Sequence, residues 1–131
     1  MSSSFRRIFA VLVACGAGII VVRLLEELAK QVTMPPGVAY RVALERGELP
    51  FASFALVLCG WWLAAYTGSR IAAHIAGARV TSLAFAVVFT GVVLRELSVA
   101  PHPGWMWLGG LLGVPLVALG AVGQNITIRG L

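Results

Sequence analysis

Residues 19–30 read IIVVRLLEELAK, and this stretch decides the fold because an unbroken apolar run stops at an arginine and two adjacent glutamates follow. A second stretch, TGVVLREL at residues 90–97, repeats the order of apolar run, arginine and glutamate. An apolar run that ends in charged residues is typical of a helix that crosses a membrane and stops where hydrocarbon gives way to water. The charges in both stretches therefore predict the ends of membrane-spanning helices.

The composition of the whole chain gives the same answer. Of the 131 residues, 60% are hydrophobic and 11% are charged, and the mean hydropathy is +0.94, whereas soluble domains carry about a quarter charged residues. Continuous apolar runs favour helices over the alternating strands of a barrel. We therefore predict an all-α membrane protein with one domain, residues 1–131, and four transmembrane helices at about 7–30, 50–67, 71–95 and 105–123.

The two halves of the chain resemble each other. Fifteen uncharged residues separate Arg7 from Arg23, and fifteen separate Arg79 from Arg95. A proline-containing outer loop and a second apolar run follow in each half, which predicts two hairpins and a possible parallel 2+2 repeat. The first outer loop also contains VAYRVALERG, residues 38–47, which predicts a short interfacial helix that starts after prolines and stops at Gly47.

The distribution of basic residues predicts the orientation. Arg6 and Arg7 precede the first helix, which usually dominates topology, so we expect both termini in the cytoplasm and a multi-pass protein of a bacterial-type inner membrane. The basic start followed by an apolar run also resembles a secretory signal peptide. The run instead ends in arginine and glutamates, with no small-residue cleavage site before a polar chain, which favours a retained helix.

Five charged residues form the candidate site. Arg23, Glu26 and Glu27 are three and four positions apart and lie on neighbouring parts of one helix face, either as a proton or cation site at the mouth of a pathway or as markers of the membrane boundary. The boundary interpretation is favoured, because these charges follow the end of the apolar run. Arg95 and Glu96 are adjacent and predict a poor pair within one helix, so we expect them to join the first hairpin in an outer ring of salt bridges.

Small residues spaced by four predict where helices pack closely, because lipid provides no hydrophobic drive for helices to associate. Gly109 and Gly113 form a GxxxG motif, with Gly120 on much the same face, and we expect Pro115 to bend this helix. The predicted packing positions in all are Ala14, Gly18, Gly60, Ala64, Gly109, Gly113 and Gly120. These faces can serve packing within the chain or formation of a homo-oligomer, and the pattern does not choose between them.

No motif in the sequence indicates a catalytic site, a metal site, a cofactor or a nucleic-acid surface. Cys15 and Cys59 lie near the middle of apolar runs and are not a CxxC pair, and His74 and His102 lie at opposite ends of the predicted helices. Trp61 is predicted near the inner end of the second helix, because tryptophan favours the membrane interface.

Size and helix count resemble those of the small multidrug exporters, which rely on a glutamate in the middle of the first helix. Here the middle of the first helix reads VACG, residues 13–16, without an acid, so the resemblance does not reach the functional residue. We therefore expect a non-enzymatic accessory or scaffold subunit whose partners are the lipid bilayer and a larger membrane protein. The alternative is a small oligomeric transporter or channel with Glu26 and Glu27 at its outer mouth.

Overall fold

In the computed structural model, the backbone is described for residues 2–129 and the side chains for residues 2–123, and this part of the chain contains helices and no strands. A continuous helical stretch at the C-terminal side is built from two α-helices and a π-helical segment between them. The elements are α1 (Ser3–Thr33), α2 (Tyr40–Glu45), α3 (Phe51–Ala76), α4 (Arg79–Val99), α5 (Gly104–Leu108), the π segment (Gly109–Gly113) and α6 (Val114–Arg129).

In the described part of the chain, four helices are long and apolar enough to cross a membrane: α1, α3, α4 and the stretch Gly104–Gly123. The chain is thus a multi-pass helical membrane protein. Two of the helices extend well beyond their predicted bounds, and residues 71–76, which were predicted to begin the third transmembrane helix, belong to the second. α1 begins at Ser3, where the Ser2 hydroxyl accepts a hydrogen bond from the Phe5 amide at 3.2 Å, and α3 continues to Ala76, where Gly77 adopts a left-handed φ of +64°.

The central helix of the bundle is α3, which packs against α1, α4 and α6. Its start lies beside the end of α1, because the Thr33 and Ser53 hydroxyls are hydrogen-bonded to each other. Its end lies beside the start of α1, because the Arg6 guanidinium donates to the Ala76 carbonyl at 3.3 Å. We name the first of these ends the glutamate end, since all five glutamates belong to it, and the second the arginine end.

Close approach between α1 and α3 depends on predicted small residues. A Cβ built at Gly60 would lie 2.7 Å from the Leu25 Cβ, so the two backbones are too near for any larger residue. Gly18 similarly faces Ala64 and the ring of Phe89. Ala14 and Ala64 are fully buried. The small residues of α1 and α3 therefore lie within the chain, where the two helices meet.

The π segment holds two of the three predicted glycines against α3. A Cβ at Gly109 would lie 2.7 Å from Leu58 Cδ2, and one at Gly113 would lie 2.4 Å from Trp62 Nε1. The Trp62 indole N–H also donates to the Gly109 carbonyl at 2.9 Å. The π segment ends two residues before Pro115, which has no N–H to continue a regular ladder.

Gly120 does not share the packed face of Gly109 and Gly113, contrary to the prediction. It is exposed, and no described atom lies within 4 Å of a Cβ built on it. A π turn takes up an additional residue, so positions that would share a face in a regular α-helix are rotated apart beyond it. The prediction used the spacing of a regular α-helix from Gly109 to Gly120, and the π segment departs from that spacing.

Toward the arginine end, the bundle is filled by aromatic rings over a glycine that the sequence analysis did not select. A Cβ at Gly68 would lie 2.2 Å from the ring of Phe85, which is 0% exposed and stacks on Phe89 at 5.5 Å. Two buried serines also tie three helices together, since Ser69 donates to the Ala118 carbonyl at 2.8 Å and Ser82 donates to the Ser69 carbonyl at 3.0 Å.

Candidate functional site at the glutamate end

A cavity of about 440 Å³ lies at the glutamate end, between α1, α2, α3 and the end of α4. Its lining combines charged side chains with aromatic and small apolar ones. The lining residues are Arg23, Glu26, Lys30, Ala39, Tyr40, Arg41, Leu44, Glu45, Val57, Trp61, Glu96, Val99, Ala100 and His102. Three of the five predicted site residues, Arg23, Glu26 and Glu96, therefore meet at one cavity, whereas Glu27 and Arg95 lie outside it.

The α1 wall of the cavity carries charges that are already paired along the helix. Arg23 Nη1 lies 3.0 Å from Glu26 Oε2, and Lys30 Nζ lies 3.2 Å from Glu27 Oε2. Pairs three residues apart lie side by side on a helix surface and contribute a few tenths of a kcal/mol when exposed, about 0.2–0.5 kcal/mol. These pairs fix side-chain positions around the cavity more than they stabilise the fold.

Arg95 and Glu96 form a pair that the sequence analysis judged poor, with Arg95 Nη1 3.1 Å from Glu96 Oε1. Each ion pair among the described residues joins partners within one helix. The expected outer ring of salt bridges between hairpins is therefore wrong for this part of the chain. Adjacent residues project about 100° apart, but the long side chains curl toward each other, and the cavity separates the charges of α1 from those of α4.

α2 covers one side of the cavity and docks on the extended end of α1. The Lys30 ammonium lies over the Tyr40 ring, 5.7 Å from its centroid, a distance that allows a cation–π contact. Ala43 is buried and Leu44 packs against the core. Val38 and Val42 of the same segment are exposed.

Two aromatic rings form the floor of the cavity. Trp61 is only 2% exposed, and its ring centroid lies 6.2 Å from that of His102, which also meets Phe54 edge-on at 6.0 Å. His102 Nδ1 lies 2.8 Å from the Ala100 carbonyl. Since a carbonyl oxygen can only accept, Nδ1 carries the proton of this hydrogen bond, which fixes the orientation of the ring.

Trp61 and His102 were not predicted as site residues. Trp61 was predicted near the inner end of its helix, but the loop after α4 brings His102 against Trp61 at the glutamate end. Nothing in the hydropathy pattern reports how far a loop folds inward. A histidine between two prolines, APHPG at residues 100–104, was the one available signal of a shaped loop.

The lining of the cavity contains equal numbers of basic and acidic side chains. Its described lining contains three basic side chains and three carboxylates, which are Arg23, Lys30, Arg41, Glu26, Glu45 and Glu96. A chamber that presents both signs above an aromatic floor is suited to binding a molecule with both polar and apolar parts. Among the described residues, no group of three or more histidine, cysteine or acidic side chains is placed to hold a metal ion.

Tyr40 provides a spectroscopic probe of this site. Burial, and to a smaller extent the nearby Glu26 carboxylate, raise the pKa of Tyr40 to about 12. The phenol is thus neutral in the folded protein at a pH where an exposed tyrosine ionises. Below the ordinary pKa of 10.0 the resulting stabilisation is fully present, and it is lost as the pH rises from 10.0 toward 12.

We expect ultraviolet titration of the protein in detergent to show a tyrosine that ionises near pH 12 and disappears in Tyr40→Phe. Glu26→Gln should lower the pKa of Tyr40, because it removes a negative charge that disfavours the phenolate. Glu48→Gln, on an exposed position outside the cavity, is the matched control and should leave it unchanged. Ionisation of Tyr40 at the ordinary pH of an exposed tyrosine would contradict the docking of α2.

Comparisons of this chain with protein-family models, with curated proteins and with solved structures find no match.

Proposed function

We propose that the chain is a non-enzymatic accessory or scaffold subunit that binds a larger membrane partner at its glutamate end. The observation that supports this most is the cap built there: α1 has 31 residues, or roughly 46 Å at about 1.5 Å per residue, against a hydrocarbon core of about 30 Å. Its last turns and α2 therefore extend past the apolar layer and offer a folded, charged surface. Below the cavity, Phe85 and Phe89 fill the interior.

The same proposal includes the placement in the membrane. We place the chain in a bacterial-type inner membrane, with the arginine end and both termini in the cytoplasm. Arg6, Arg7, Arg70 and Arg79 belong to that end, where anionic lipid attracts basic side chains. We also propose that the helices are two hairpins of a parallel 2+2 repeat, α1 with α3 and α4 with the Gly104–Arg129 stretch, and that α2 lies at the interface. The extensive contact between α1 and α3 supports the first hairpin.

Co-purification in a mild detergent tests the accessory role. We expect a tagged chain to retain a larger membrane protein and to lose it in Arg41→Ala/Glu45→Ala, which removes an exposed pair (3.4 Å) from α2 but keeps good helix formers. The matched control is Leu83→Ala/Val87→Ala, which shortens two exposed apolar side chains on α4 and should leave the partner bound. A chain that purifies alone at normal expression, with its fold intact, would contradict the proposal.

The second candidate is an oligomeric transporter or channel, and one observation favours it: Glu26 lies in the wall of a cavity. Because aromatic rings fill the bundle below Trp61, a pathway would have to form between copies of the chain. Gly16, Gly91 and Gly120 are exposed, with no described atom within 4 Å of a built Cβ, and would allow close approach of a second copy.

Flux measurements in proteoliposomes separate the two candidates. A transporter would move protons or a solute, and Glu26→Gln would abolish this movement while Glu48→Gln would not. An accessory subunit alone in the same vesicles should show no flux above that of empty vesicles. Glu27→Gln is a further comparison, since Glu27 lies outside the cavity and pairs with Lys30.

A further inference from the structure

The charged side chains of the cavity differ in where their partners lie. Arg23 pairs with Glu26, and Arg41 pairs with Glu45, so these four charges are compensated by partners within the lining. Lys30 and Glu96 are different, because each pairs with a residue outside the lining, Glu27 and Arg95 respectively. Lys30 and Glu96 are thus the cation and the anion of the lining whose ion-pair partners lie outside the cavity.

These two charges belong to different helices of the lining. Lys30 belongs to α1 and Glu96 belongs to α4, and α3 contributes Val57 and Trp61 to the same lining. A cavity of about 440 Å³ has room for a small molecule. An occupant that contacts both side chains would place an anionic group near Lys30 and a cationic group near Glu96.

We propose that this cavity binds a zwitterion, with an ammonium group on Glu96 and an anionic phosphodiester or carboxylate group on Lys30. An occupant with a single charge would gain a charge-assisted hydrogen bond from only one of these two side chains, whereas a zwitterion can gain one from each. Only a molecule that carries both a positive and a negative group can form charge-assisted hydrogen bonds with Glu96 and Lys30 at the same time. This inference goes beyond the accessory role, because it concerns the isolated chain and needs no partner protein.

Two sources can supply this chemistry. The cavity lies at the end of the bundle where α1 and α4 leave the apolar layer, so the head group of a zwitterionic phospholipid such as phosphatidylethanolamine can reach it from the membrane. A dissolved zwitterion can reach it from the water. The proposed binding chemistry is the same for both, and the membrane composition of the experiment separates them.

The experiment follows the indole N–H signal of Trp61 by nuclear magnetic resonance in nanodiscs of phosphatidylglycerol, whose head group is anionic and has no ammonium. Comparison with Trp61→Phe assigns the signal among the four tryptophans. Addition of glycerophosphoethanolamine or β-alanine should shift it with saturation if the ligand comes from water. Replacement of part of the host lipid by phosphatidylethanolamine should shift it if the ligand is a lipid head group.

Single-charge probes and variants test the two contacts. Glycerophosphoglycerol and ethanolamine each carry one charge and should bind at least about tenfold more weakly than glycerophosphoethanolamine, because each loses one charge-assisted hydrogen bond. For the same reason, glycerophosphoethanolamine should bind to Lys30→Gln and to Glu96→Gln at least about tenfold more weakly than to the wild type. Arg46→Gln and Glu48→Gln change exposed charges outside the lining and should keep wild-type affinity. Equilibrium dialysis of labelled glycerophosphoethanolamine with the wild-type chain needs no variant and provides an independent affinity.

Several results would overturn the proposal. One is a Trp61 signal that moves with neither the zwitterions nor phosphatidylethanolamine, together with no uptake in dialysis. Another is an affinity for the single-charge probes equal to that for glycerophosphoethanolamine. A third is a loss of affinity for glycerophosphoethanolamine in Lys30→Gln and Glu96→Gln that is no greater than in Arg46→Gln and Glu48→Gln. Because all these measurements use the purified chain, their outcome is independent of whether a protein partner co-purifies.

Discussion

Replacement of Gly60 by alanine is expected to lower the free energy of unfolding by about 1–3 kcal/mol, the usual cost of overpacking a close-packed interior. The added Cβ would lie 2.7 Å from the Leu25 Cβ. That atom is attached directly to the α1 backbone, so a rotamer change cannot move it away, and α1 and α3 must separate. The loss should appear as a lower midpoint of unfolding in denaturing detergent, followed by helical circular dichroism.

The matched control is Gly91→Ala in α4, where no described atom lies within 4 Å of the new Cβ. Alanine is favoured over glycine in a helix interior by about 1 kcal/mol in water, so this variant should be as stable as the wild type or more so. Equal stability of Gly60→Ala and Gly91→Ala would show that α1 does not approach α3 as described.

Phe85→Ala carries the largest expected effect, a loss of about 3–5 kcal/mol, because it empties the centre of the bundle. Phe85 is 0% exposed and lies over Gly68, where a Cβ would meet its ring at 2.2 Å. Gly68→Ala should therefore destabilise the wild type but cost little in the Phe85→Ala background, since the ring that it strikes is gone. A double-mutant cycle should report a coupling of about 0.5–3 kcal/mol.

The comparison for this cycle is Gly91→Ala combined with Phe85→Ala, two changes without a shared contact, which should be additive within about 0.5 kcal/mol. An additive result for Gly68→Ala with Phe85→Ala would mean that the ring does not pack over the glycine. The arrangement of α3 against α4 near the arginine end would then be different.

The membrane-spanning helices were predictable from sequence, since hydrocarbon selects long apolar runs by composition alone. A short helix between Gly37 and Gly47, which have φ of +83° and +69°, was also predictable, although α2 covers only Tyr40–Glu45 of the predicted residues 38–47. The additional length of α3 was not, since Arg70 and His74 end the apolar run without ending the helix. The helix continues to Ala76 and ends where Gly77 adopts a left-handed backbone conformation.

The cavity was not predictable, although three of its charged residues were selected. Its position depends on how far the segment after α4 folds inward to place His102 on Trp61, and on how α2 lies over α1. Both are contacts between distant segments that leave no periodic signal in the chain. The failed outer ring of salt bridges has the same origin, because periodicity describes the neighbours of a side chain along one helix and not the space between helices.

Cysteine labelling with a charged, membrane-impermeant maleimide tests the central claim that the cavity at the glutamate end opens to one side of the membrane and is closed at Trp61. The labelled chain has Cys15 and Cys59 replaced by serine. Ala100→Cys, in the lining, should react from one side of the membrane, and Ala78→Cys, between α3 and α4, should react from the other. Ala64→Cys, at a position one turn beyond Trp61 with 0% exposure, should not react from either side. Labelling of Ala64→Cys, or protection of Ala100→Cys from the reagent on both sides, would contradict the account.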